Sequence, residues 1–201
     1  MKYGAAVGYD CRVKHGNLLT EQHATFIVNA SNTKLLLGSG VSMAFKRHCG
    51  KVLQDEMSQK FQQIGTLHKG DVVATSSGDA KKFKYALHAA VMDYNQGVKA
   101  HKKNPTYDDI VTILQNIESY VLWYIQTHPH EVPKVVLPLL GCGVGGLNTE
   151  KVIQLYKTFF CRDVSFLCDI IMYGHSVQDY EALQNTFHFS GDNNEFYNKT
   201  R

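Results

Sequence analysis

At 201 residues the chain is the length of one α/β domain, and a 44% hydrophobic, 19% charged composition is ordinary for a soluble globular protein with a core to bury. A formal net charge of +3 suits an anionic small ligand but lacks the basic bias of a dedicated nucleic-acid binder. Five cysteines (Cys11, Cys49, Cys142, Cys161, Cys168) form no C-x-x-C pair. That argues against a disulfide framework or zinc site and for a reducing, cytoplasmic setting. The N-terminus has no signal-peptide run, and no stretch approaches the ~18 apolar residues of a membrane span.

In chain order, Tyr3 to Tyr9 and Arg12 to His15 are weak strand candidates, because Gly4 and Gly8 interrupt them. Thr25 to Val28 is a firmer strand, and it runs into Val28-Asn29-Ala30-Ser31-Asn32. Gly38-Ser39-Gly40 then opens a helix from about Ser42 to Cys49, closed by Gly50. Asp71 to Thr75 and Tyr85 to Met92 are the next strands, the second carrying His88, which reads as a core histidine. Thr106 and Asp109 are a helix cap, followed by an apolar stripe at Ile110, Ile113, Leu114, Ile117, Val121 and Ile125.

Lys134 to Leu140 is apolar on successive residues, the pattern of a strand covered on both faces. Gly141-Cys142-Gly143-Val144-Gly145-Gly146 follows it, then a helix from about Asn148 with Val152, Leu155 and Phe159 in register. Phe166 to Tyr173 is the last strand. Ser176 and Asp179 cap a closing helix with Val177, Tyr180 and Leu183 inward. Strands separated by helices predict a three-layer α/β/α sandwich with a central mixed sheet over residues 1–189, and a polar tail at 190–201.

The chemistry concentrates in two glycine loops. Gly38-Ser39-Gly40 before a helix lets backbone N–H groups and the helix dipole reach a phosphate. Asn29 and Asn32 at a strand end offer donors and acceptors to sugar hydroxyls. The glycines from Gly141 to Gly146 let several amides face one concavity. Alone, the first loop reads equally well as a flexible turn. The second carries more glycines than a tight connection demands. Together they can grip a diphosphate from both sides.

These residues resemble the macrodomain family: a V-N-A-x-N strand end at Val28–Asn32, a G-x-G-V loop at Gly38–Val41, and a P-x-x-x-x-G-x-G loop from Pro138 through Gly143 to Gly145. The resemblance implies ADP-ribose, or an ADP-ribosylated protein, as ligand, with no cofactor; the histidines and cysteines show no metal-ligand spacing, so no metal is expected. It places Asn17 and Leu18 at the adenine and Asn29 and Ala30 at the strand end. Gly38, Ser39, Gly40 and Val41 take one side of the diphosphate, and Leu140, Gly141, Cys142, Gly143, Val144 and Gly145 the other. Asn32 holds the distal ribose and is the candidate catalytic residue.

Three positions depart from the family. An aspartate at the adenine is Asn17 here, the aspartate after G-x-G-V of many hydrolytic members is Ser42, and the aromatic that screens the ribose is Gly145. No catalytic lysine stands near Ala89 and Ala90, where another branch has one. A mono-ADP-ribosyl ester hydrolase using a substrate-held water is the first reading, and a non-catalytic ADP-ribose reader the alternative. A nucleic-acid role, resting on Lys81–Lys84 and Lys99–Lys103, ranks last because those clusters read as solvated loop and edge charges.

Overall fold

The computed structural model describes residues 7–38 and 40–187. Six strands form one sheet: β1 (Gly8–His15), β2 (Ala24–Asn32), β3 (Val72–Ser76), β4 (Phe83–Met92), β5 (Lys134–Pro138) and β6 (Leu167–Gly174). Their spatial order is β1-β6-β5-β2-β4-β3. Every pairing is parallel except β3 with β4. The C-terminal ends of five strands therefore share one rim, where ligands of open α/β sheets bind.

Both sheet faces are covered, so the strands are apolar on both sides. Val136, Ile27 and Ile171 pack with Phe45, Cys49, Leu53 and Met57 of α1 (Gly40–Ile64). Val135, Leu137, Val28 and Ile170 face the other helices: α2 (Tyr107–Thr127), α3 (Thr149–Phe160) and α4 (Val177–Phe187). The expected three layers are present.

Local signals explain most element ends. Thr106 accepts from the Asp109 N–H at 3.2 Å while the Asp109 carboxylate accepts from the Thr106 N–H at 2.7 Å, a reciprocal cap on α2. Asn148 caps α3 by accepting from the Lys151 N–H at 3.0 Å.

Several details differ from the sequence expectations, among them β5, which ends at Pro138 rather than Leu140. α1 does not stop at Gly50: that residue bends the chain at φ 69°, and a second helical stretch continues to Ile64. A side chain at 50 would meet the Asp79 carboxylate at 1.9 Å, so both conformation and space require glycine. In α2 the fully buried residue of the last turn is Tyr124, with Ile125 only partly covered. Val177 points outward, 51% exposed, and Leu183 with Phe187 anchors α4 instead. Positions 190–201 lie outside the described residues.

Candidate functional site

A cleft of about 700 Å³ opens at the shared strand rim. Gly38, Gly40 and Val41 line it from one side and Gly141, Cys142, Gly143, Val144 and Gly145 from the other, with Asn17, Leu18, Ala30 and Asn32 also in its walls. The two glycine loops thus meet across one space. Ser39 is outside the described residues.

Strand order explains the convergence. β5 and β2 are neighbours, so the loop leaving β5 and the loop leaving β2 emerge side by side. The first turn of α1 lines the cleft with Gly40, Val41 and Ser42, at the helix end where N–H groups lack intrahelical acceptors and the dipole is positive. In the second loop the Gly146 N–H bonds Gly143 O and the Leu147 N–H bonds Gly141 O, both at 3.0 Å, closing the loop on itself. Gly141 takes φ +77° to start that turn, a conformation that favours glycine. Among the described residues, the N–H groups from Cys142 to Gly145 have no protein acceptor. Amides on both sides are thereby left for an anion.

The end of β2 is irregular. Ser31 pairs with Ala90 but Asn32 with Met92, so β4 carries one extra residue there. Such a bulge re-aims the side chains of the strand that carries it, and the consecutive β4 residues Val91 and Met92 both line the cleft, opposite Ser31 and Asn32. The Ser31 hydroxyl is buried with no hydrogen-bond partner. A buried polar atom left unpaired in a cleft wall is a position for a ligand to satisfy.

Asn32 is largely committed to its own loop. Its Oδ1 accepts from the N–H groups of Lys34 at 3.0 Å and Leu36 at 3.3 Å, and its Nδ2 donates to Leu36 O at 2.9 Å. Asn32 therefore shapes the loop that approaches the ligand. Among the described contacts, one Nδ2 hydrogen remains for a sugar.

Two expected ligand contacts lie behind the wall instead. Asn29 is fully buried: its Nδ2 donates to His88 Nδ1 at 3.0 Å and its Oδ1 accepts from the Ser42 hydroxyl at 3.0 Å. Leu140 is also fully buried, and its N–H donates to the Tyr156 hydroxyl at 3.0 Å. Both support the cleft rather than line it: strand alternation turns the Asn29 side chain into the core, and Leu140, in the turn after β5, packs into the core cluster.

His88 is likewise a core group, with its Nε2 2.8 Å from the Thr75 hydroxyl, and burial pushes its pKa down to about 3. It is therefore neutral. Burial also raises the Cys142 thiol to about 11, so that side chain is not a thiolate nucleophile at neutral pH. All five cysteines are free thiols.

The sequence reading missed a group of cleft residues that arrive from distant segments. Leu36, Met92 and Tyr94 stand at the β4 end, and Tyr173, His175 and Asp179 at the β6 end. The Ser176–Asp179 cap was legible and is present, with the Asp179 N–H donating to Ser176 Oγ at 3.0 Å. What could not be seen is that β6 lies beside β1, which brings this cap to the Gly16–Leu18 segment. Asn17 itself accepts from the Leu19 N–H at 3.0 Å, opening a short 3-10 turn at Leu18–Thr20.

A second hollow of about 690 Å³ lies at the opposite ends of the strands, between α1 and α2, lined by Tyr85, Tyr120 and Trp123. It has no glycine loop. Its edge strand is protected, with the Ser76 N–H given to Glu56 at 2.8 Å and Val72 O accepting from the Tyr120 hydroxyl at 3.2 Å. The rim cleft is therefore the better anion site.

A family model described as Macro domain matches residues 28–156, more than half of the chain and spanning both glycine loops. The chain belongs to the Macro domain family. An uncharacterized protein of Sulfolobus acidocaldarius is 25% identical over 192 residues, covering 92% of this macrodomain and 94% of the relative. Among solved structures, the Oceanobacillus iheyensis macrodomain with ADP is 19% identical with TM-score 0.69, covering 91% of this chain and 92% of that one. The Trypanosoma brucei macrodomain in complex with ADP-ribose is 18% identical with TM-score 0.67, over 87% of this chain and 68% of that one. At these identities the structural likeness establishes the fold. Among the described residues of this macrodomain, no helix is long and apolar enough to cross a membrane.

Proposed function

We propose that this macrodomain binds ADP-ribose, free or attached to protein, along the rim cleft. The carrying observation is that two glycine loops face each other across one cavity, the first opening a helix and the second with main-chain amides that have no protein acceptor among the described residues. The strand order then lays out the ligand. The diphosphate lies over β5 and β2, between Gly38–Val41 and Gly141–Gly145. The adenine takes the β1–β6 end, between Asn17-Leu18 and His175. There Asp179 brings a carboxylate where the family's own aspartate is replaced by Asn17. The distal ribose takes the β4 end, beside Asn32.

Recognition is the activity the geometry supports best. Of the described residues lining the β4 end (Ser31, Asn32, Leu36, Met92 and Tyr94), none is a carboxylate or an imidazole. Ser42 supplies no substitute, because its hydroxyl faces Asn29 Oδ1 and Ala30 O, each at 3.0 Å. Hydrolysis of an ADP-ribosyl ester is the second reading. It needs only a water held against the diphosphate and a ribose fixed by Asn32, with positioning and fixed dipoles supplying the rate.

One assay separates the two. Incubation with a mono-ADP-ribosylated protein, in parallel with a pull-down of the same protein, is expected to show capture without release of ADP-ribose. Release by the wild type but not by Asn32→Asp, which keeps Oδ1 and loses Nδ2, would establish the hydrolytic reading instead.

A further inference from the structure

The β4 end of the cleft carries an aromatic ring that neither glycine loop supplies. Tyr94 stands two residues beyond β4 and lines the cleft while 42% exposed. Its backbone is pinned. The Tyr94 N–H donates to Thr33 Oγ1 at 2.9 Å, and the Thr33 hydroxyl donates to Asp93 Oδ1 at 3.2 Å. The same Oδ1 accepts from the Asn95 N–H at 3.0 Å, and Asn95 Nδ2 donates to Leu67 O at 2.8 Å. A segment tied this closely to the strand end anchors the Tyr94 backbone at the cleft mouth, so the ring projects from a fixed point of the wall.

Across the cleft, the second loop has no room for such a ring. A Cβ at Gly145 would lie 2.6 Å from Gly141 O and 2.8 Å from Pro105 Cγ. Pro105 and the loop's own carbonyl already fill that space. The wall at the β4 end must come from another element, and the lining residue that can provide it is Tyr94.

We propose that Tyr94 is the specificity-determining wall of the ribose end, its ring covering the distal ribose and the first atoms attached to it. This rests on the ADP-ribose reading above. A ribose presents C–H groups to an aromatic face, and the phenol at the ring edge can hydrogen-bond a polar group on the attached chain. A half-exposed ring also remains available to the polypeptide that bears the modification.

Calorimetric titrations of wild type, Tyr94→Ala and Tyr94→Phe with ADP and with ADP-ribose test it, because ADP lacks the distal ribose. The expected result is that Tyr94→Ala weakens ADP-ribose by about five- to tenfold. The same variant should leave ADP within about twofold of wild type, and Tyr94→Phe should keep ADP-ribose affinity. Unchanged ADP-ribose binding by Tyr94→Ala would overturn the proposal and leave the ADP-ribose reading standing. Equal weakening of both ligands would also overturn it, since the ring would then support the cleft as a whole. A wild type that binds neither ligand removes the reading itself, and the proposal with it.

Discussion

Asn29 Nδ2 lies 3.0 Å from His88 Nδ1, and both side chains are wholly buried beneath the strand end that forms the cleft wall. The contact belongs to a chain with a single direction. Ser42 Oγ–H donates to Asn29 Oδ1, and Asn29 Nδ2–H donates to His88 Nδ1. His88 Nε2–H then donates to Thr75 Oγ1, whose hydroxyl donates to Ser76 O at 2.9 Å. Every member is satisfied only with His88 neutral and its proton on Nε2. A proton added at Nδ1 would face the Asn29 amide hydrogens.

Acid sensitivity follows. The folded His88 has its pKa near 3, below the ordinary 6.5, so under pH 6.5 the unfolded chain takes up a proton that the folded chain refuses. Stability is lost as pH falls through 6.5, by about 2 kcal/mol between pH 7 and pH 5 from this residue. Imidazole NMR at pH 5 should find His88 uncharged as the Nε2–H tautomer. Titration of that ring with a midpoint near 6.5 would contradict the network.

Ser42 is the cleft-side end of the same chain, and its substitutions should register as stability changes. Ser42→Ala leaves Asn29 Oδ1 short of a donor and should cost about 1–2 kcal/mol in urea unfolding. Ser42→Asp sets a buried carboxylate against two acceptors, Asn29 Oδ1 and Ala30 O, and should cost more, about 3 kcal/mol. An aspartate variant as stable as wild type would mean the hydroxyl is not held as described.

The glycines of the two loops divide by what surrounds them. A Cβ at Gly38 or Gly143 meets nothing within 4 Å, and neither residue has positive φ. Alanine at either position should leave the melting temperature within about 2 °C of wild type. Because both line the cleft, the added methyl should weaken ADP-ribose by about tenfold or more. Gly145→Ala should behave in the opposite way, destabilising the fold by about 2–3 kcal/mol through collision with Gly141 O and Pro105. Thermal melts with and without ADP-ribose read both effects.

Legibility in the sequence depended on whether a signal was local. The β5 run, the α2 cap and the glycine loops are short-range patterns, and each appears where its residues placed it. β1 was weak because Gly8 opens it and its support comes from parallel pairing with β6, more than 150 residues away in the chain. The second half of α1 escaped notice because few of its residues are apolar. Leu53 and Met57 bury it, and Gln54 and Glu56 bind neighbouring backbone.

The candidate site divides the same way. Loop glycines could be read directly, but Tyr94, His175 and Asp179 reach the cleft through strand order alone. Asn29 shows the converse. Its residue type suits a sugar, yet strand alternation turns it toward His88.

In the proposed function, main-chain amides of the two loops hold a diphosphate between them. Isothermal titration with ADP-ribose tests it most directly, using wild type and Gly143→Ala side by side. One site per wild-type chain is expected, with at least about tenfold weaker binding by the variant at unchanged melting temperature. No heat of binding from a fully folded wild type, or equal affinity in the two proteins, would contradict it.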